Sequence, residues 1–112
     1  MSINKSADNV IKRGSTNKNI FKLPDEIPLS DIQKVVIPYY QSRAIVVQKG
    51  TEDVTIDADA HTISTELSEA ETLKFAAGTA EMEVCIKYQS GRTLRSHIYR
   101  LMIEDTLLNQ EV

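Results

Sequence analysis

"TLKFAAGTAEMEVCIKYQSGRT", residues 72–93, decides the fold class of this chain. Ala80, Met82, Val84, Ile86 and Tyr88 recur at a period of two, with Glu81, Glu83, Cys85, Lys87 and Gln89 between them. Successive side chains of a strand point to opposite faces, so this spacing predicts a strand with one apolar and one wet face. Ser90-Gly91 supplies a turn, and "TLRSHIYRLMIED" returns with Ile98, Tyr99, Leu101 and Ile103 as its apolar positions. The two halves read as a core-forming β-hairpin, which is scaffold rather than chemistry.

Just upstream, Ser68 and Glu71 have the spacing of a capping box, in which each side chain accepts a backbone N–H of the other residue. Only about one helical turn fits before Phe75 and Gly78, so "SEAETLKF" is a helical connection and not a long helix. Gly91 is expected at positive φ in its turn, and Gly78 at the end of the helical turn.

"DVTIDADAHTISTEL" reads as another hairpin, with Val54 and Ile56 before the polar tip and Ile63, Thr65 and Leu67 after it. "IQKVVIPYYQ" and "RAIVVQKG" flank Gln41-Ser42-Arg43 as a third. Pro38 has no N–H for a ladder bond, which places its strand at a sheet edge or at a bulge. Ile20, Phe21 and Leu23 start a short strand, and Pro24 and Pro28 bracket a turn. About seven short strands separated by turns predict an all-β, antiparallel sandwich of immunoglobulin type, with a small barrel as the competing architecture.

The 112 residues suffice for one domain. Aromatic residues make up 5% and Trp is missing, so the core must rest on Val, Ile and Leu. Cys85 is the single cysteine, so the chain forms no internal disulfide. No apolar run matches a secretory signal or the roughly 18 residues of a membrane helix, so synthesis in the cytoplasm and no membrane partner are expected.

Residues 1–18 are rich in Asn, Lys and Ser and show no periodicity. They are expected to form a flexible basic arm, with the sandwich domain spanning residues 19–112 and Gly14 acting as a hinge. Lys5, Lys12, Arg13 and Lys18 against Asp8 make this segment +3, leaving −6 for the remaining chain within a net charge of −3. An acidic body argues against a nucleic-acid partner. Deleting residues 1–18 is accordingly expected to leave the fold intact.

No catalytic, cofactor or metal site is expected. Asp57, Asp59 and His61 alternate in "DADAH", but the glycine and distant glutamate of a calcium loop are missing. Ser96 and His97 point to opposite faces of one strand, and no nucleophile-elbow pattern exists. Cys85 between Val84 and Ile86 reads as a structural thiol, because a reactive one needs a cationic or helix-terminal environment.

The segments "KRGSTNKNIFKLP", "IPYYQSRAIVVQK" and "LSEAETLKFAAGTAEMEVCIKYQSGRTLRSHIYRLMIEDTL" resemble small immunoglobulin-like structural proteins of tailed bacteriophages. The layout is also similar to the N-terminal module of phage baseplate upper proteins. A Gln after the early strand, the "TLKF…G" connection and a final hairpin with a Gly turn and a Ser carry the resemblance. Glu83 and Cys85 stand where a Gln is usual in the family. The resemblance implies a non-enzymatic virion component made in the host bacterial cytoplasm. It would assemble with its own copies and other virion proteins in tail, baseplate, neck or capsid decoration.

The residues expected to carry that assembly are exposed and sticky. Lys12, Arg13 and Lys18 would dock the arm on an acidic neighbour. Tyr39 and Tyr40 would lie near a sheet edge beside Pro38, and Leu107 and Leu108 would cover a partner or their own sheet. The rival readings are a host-surface or carbohydrate-binding module, disfavoured by the scarcity of aromatics, and a small intracellular regulatory protein.

Overall fold

Period-two burial recurs along the chain and builds eleven strands and one α-helical turn among the described residues. In chain order they are β1 (Asn4–Lys5), β2 (Val10–Lys12), β3 (Asn17–Lys22), β4 (Ile32–Gln41), β5 (Ala44–Lys49), β6 (Thr55–Asp57) and β7 (Thr62–Leu67), then α1 (Glu69–Thr72). β8 (Gly78–Met82), β9 (Cys85–Tyr88), β10 (Thr93–Arg95) and β11 (Tyr99–Glu104) follow. The structure is a computed structural model that describes residues 3–6 and 8–112.

The strands form an all-β sandwich of two sheets. The smaller runs β1-β3-β7-β6, and the larger runs β10-β9-β4-β8-β11-β2 with β5 added to β4. β8 and β9 keep the same register against β4 across residues 83–84, Tyr39 opposite Met82 and Val36 opposite Cys85, so they are a single long strand with a gap there. That gap lies opposite Pro38, whose nitrogen has no hydrogen to give. β10 and β11 are likewise one strand, with a one-residue shift of register between Arg95 and Tyr99. Counted this way, the sheets have the strand arrangement of the immunoglobulin sandwich. The surplus over seven strands comes from these interruptions and from the N-terminal strands.

Residues 3–6 and 8–18 depart from the expected flexible arm. β1 pairs with β3 in one sheet, and β2 runs parallel to β11 in the other, with Ile11 opposite Ile103. Ile3 and Ile11 are each 1% exposed in the core. Among the described pairs, β2 with β11 is the one parallel pairing, so the sandwich is not wholly antiparallel. Strands of two and three residues each contribute about one inward side chain, too few to reveal a period. Met1, Ser2 and Ala7 lie outside the described residues. Gly14 is no hinge: its φ of +83° turns the chain between β2 and β3, and its N–H donates to Thr72 Oγ1 at 3.0 Å.

Of the two readings of Pro38, edge or bulge, the bulge holds: the register of β4 against β5 shifts between Tyr39 and Tyr40, and β4 is not an edge. β5 lies on one side of it and β8 and β9 on the other, which makes β5 the edge strand. Ser42 and Arg43 both take left-handed φ values, 54° and 67°, as the tight turn joining β4 to β5 demands.

The core lies between the sheets. Ala80, Met82, Val84 and Ile86 are all buried, as their alternation predicts. Tyr39 packs edge-on against Phe75 at a centroid distance of 6.3 Å, fixing the "TLKF" connection over the core. The capping box forms, with Ser68 Oγ accepting the Glu71 N–H and Glu71 Oε1 accepting the Ser68 N–H. Ile98 departs from expectation and is 65% exposed. Ile98 and Tyr99 are adjacent, so a regular strand cannot send both inward, and the register shift resolves the conflict in favour of Tyr99.

Candidate functional site

Val35, Ile37 and Tyr39 face inward from β4, so Val36, Pro38 and Tyr40 face outward on the open side of the larger sheet. Register then defines the neighbours of Tyr40: Ile45 on β5 and Glu81 on β8, with Arg100 of β11 beyond Glu81. The next row holds Thr79, Met102 and Val10, on β8, β11 and β2. Side chains of directly opposed residues share a face, so these rows form one surface.

The surface is apolar at both flanks. Tyr40, Ile45 and Ile98 are 40%, 55% and 65% exposed, and Val10 and Met102 are 43% and 53% exposed. Pro38, Tyr40, Ile45, Met82 and Ile98 line a shallow concavity of about 300 Å³, with Glu81 and Glu83 at its rim. Between the flanks run acids on one strand and bases on the next. Arg95 reaches Glu83 at 3.4 Å, whereas neither Glu81 nor Arg100 makes an ion pair among the described residues. Exposed apolar flanks of this kind are what a binding surface offers and a merely solvated sheet does not.

The residues expected from sequence to mediate contacts are scattered. Tyr40 belongs to this surface. Tyr39 is 0% exposed and is a core residue, which withdraws it from any contact surface. Arg13 is structural: Nε donates to Phe75 O at 2.6 Å, and its guanidinium also reaches Leu73 O, Asp105 and Asn109. Lys12 and Lys18 are exposed, on different sheets. Leu107 is fully exposed and Leu108 about half-exposed, and no strand forms after Glu104. The final segment instead folds back over α1, where the Val112 N–H donates to Glu69 Oε1 at 3.0 Å.

Val10, Ile45 and Met102 were not singled out from sequence, and Ile98 was read as an apolar position of the final hairpin rather than as a surface residue. Met102 lies between the inward Leu101 and Ile103, so its outward position was readable from period two. Val10 and Ile98 were not readable, because a three-residue strand and a register shift hide them.

Other chemistry-bearing residues are accounted for locally. Burial pushes the Cys85 thiol upward, Glu83 adds to this, and Arg95 only partly offsets it, so the sulfur is held in its unreactive form. His61 sits in the turn after β6 at φ 57° with Nε2 2.9 Å from Pro24 O, a turn position and not a strand position. Among the described residues, no three His, Cys, Asp or Glu side chains are grouped to hold a metal ion. No helix of the described residues is long and apolar enough to cross a membrane. A second concavity of about 580 Å³ lies between the loop after β3 and the β9–β10 turn, lined by Ile27, Tyr88 and Leu94 with Glu26, Asp31 and Arg92. No protein-family model matches the sequence, and no curated protein matches it.

Proposed function

We propose that this chain is a non-enzymatic structural protein of a tailed-phage virion, assembling with its own copies and with other virion proteins. The observation that carries the assembly role is the outward surface of the larger sheet, where five large apolar side chains stand at least 40% exposed. Leaving them in water forgoes about 25 cal/mol for each Å² that a partner would cover. The phage context rests on the resemblance of the "TLKF…G" connection and the final hairpin.

The fold gives those shared features a physical role that suits a particle component. Gln41 Nε2 donates to Ala76 O and its Oε1 accepts the Ala76 N–H, both at 2.8 Å, clamping the connection to the end of β4. Ser96 Oγ accepts the Val84 N–H at 2.8 Å, sealing the gap in the long strand. A rigid sandwich with a sticky face can be repeated by symmetry, which multiplies weak contacts.

The test is quantitative mass spectrometry of purified particles, scaled to the major capsid protein. A stoichiometric signal is expected. Protein that is plentiful in lysate but missing from clean particles overturns the virion role and favours the intracellular rival.

A further inference from the structure

The larger sheet has an internal match that selects its partner. Across its outward surface the strand order is β4, β8, β11, β2. β4 carries Pro38 and Tyr40, β8 carries Glu81, β11 carries Arg100 and Met102, and β2 carries Val10. A two-fold axis laid in the interface, along the seam between β8 and β11, brings β8 of one copy over β11 of the other and β4 over β2. Acid then faces base, because Glu81 and Arg100 lie in one row, and Met102, one row further along β11, comes over Thr79 of the partner's β8.

We infer that the occupant of this surface is a second copy of the same chain, in an isologous face-to-face dimer with Glu81 of each protomer opposite Arg100 of its partner. The inference rests on the assembly reading of this surface but not on its phage context. An isologous contact requires a patch complementary to itself, and Glu81 beside Arg100 in one row of β8 and β11 is such a patch. A standard interface takes about 800 Å² from each partner. That is about an eighth of the 6704 Å² surface of this chain.

The experiment is sedimentation velocity and equilibrium on the purified full chain, alone and as variants, with circular dichroism to confirm folding. The wild type is expected to dimerise. Glu81→Arg and Arg100→Glu each place like charges at both symmetry-related contacts, and each is expected to weaken the dimer by about tenfold or more. Mixed in equal amounts, the two variants are expected to recover it as a heterodimer, because every contact then joins opposite charges. Met102→Glu, which lies outside the charge pair, is expected to weaken dimerisation alone and in any mixture.

A wild type that stays monomeric up to its solubility limit overturns the inference. So does a dimer indifferent to both charge reversals, or a pair of folded variants that fail to recover on mixing. Failure of the virion role would appear separately, as absence from particles with dimerisation intact.

Discussion

Lys49 and Glu71, 22 residues apart in sequence, form the chelated ion pair that ties the end of β5 to α1. Lys49 Nζ donates to both carboxylate oxygens, at 2.7 and 2.8 Å. The same carboxylate accepts the Ser68 N–H of the capping box, so one side chain joins the edge strand to the helical connection. Burial raises the Glu71 carboxyl, but the Lys49 and Ser68 bonds together outweigh it and hold the group below its ordinary value of 4.5.

A carboxyl depressed in the folded state contributes stability that is present above its unfolded value and lost as pH falls through the folded one. Denaturant unfolding should therefore show stability declining as pH drops below about 4.5. Glu71→Gln should flatten that decline. Glu71→Ala strands Lys49, whose side chain is 11% exposed, and should cost about 2 kcal/mol at neutral pH. The partial exposure of Glu71 keeps this below the cost of breaking a fully buried pair. An unchanged acid profile in Glu71→Gln would remove this pair from the account of acid unfolding.

Truncation of residues 1–18 should unfold the domain, reversing the expectation for a detachable arm. It removes Ile3 and Ile11 from the core and the Arg13 bonds to Phe75 O and Leu73 O. Ile11→Ala alone should cost about 3 kcal/mol in urea denaturation. A cooperative melt of the truncated chain at the wild-type temperature would contradict the structure.

The turn at Ser42 and Arg43 uses two left-handed residues where glycine or asparagine is easier. Ser42→Asn with Arg43→Gly should stabilise the protein by about 1 kcal/mol, read as a higher urea midpoint with unchanged slope.

Ser96→Ala should cost about 1–2 kcal/mol, because the Val84 N–H loses its acceptor in a residue that is 0% exposed. Amide exchange at Val84 should quicken more than at Ile103. Uniform exchange along both strands would show that the seal is not local.

The larger part of the sandwich was legible in sequence wherever a strand is long enough to show its period. Residues 80–88 declared their buried and wet faces, and Ser68 with Glu71 declared a helical turn, because both signals are local. The β4–β5 and β6–β7 hairpins were legible for the same reason. The candidate surface was legible only in part: Tyr40 was named, but its neighbours come from three other strands.

Tertiary structure alone decided the rest. β2 has three residues, and only its parallel seat beside β11 makes Ile11 a core residue and Val10 a surface one. Pro38 suggested an edge or a bulge; its strand is central and its register against β5 shifts between Tyr39 and Tyr40, because a missing N–H requires a local break in the ladder and not the absence of a neighbour. Arg13 read as a free cation until the fold brought Phe75 O, Asp105 and Asn109 around it. The periodicity of a sequence reports which side of a strand is buried. Which strands become neighbours, and so which outward residues share a surface, depends on contacts between distant segments that no local pattern encodes.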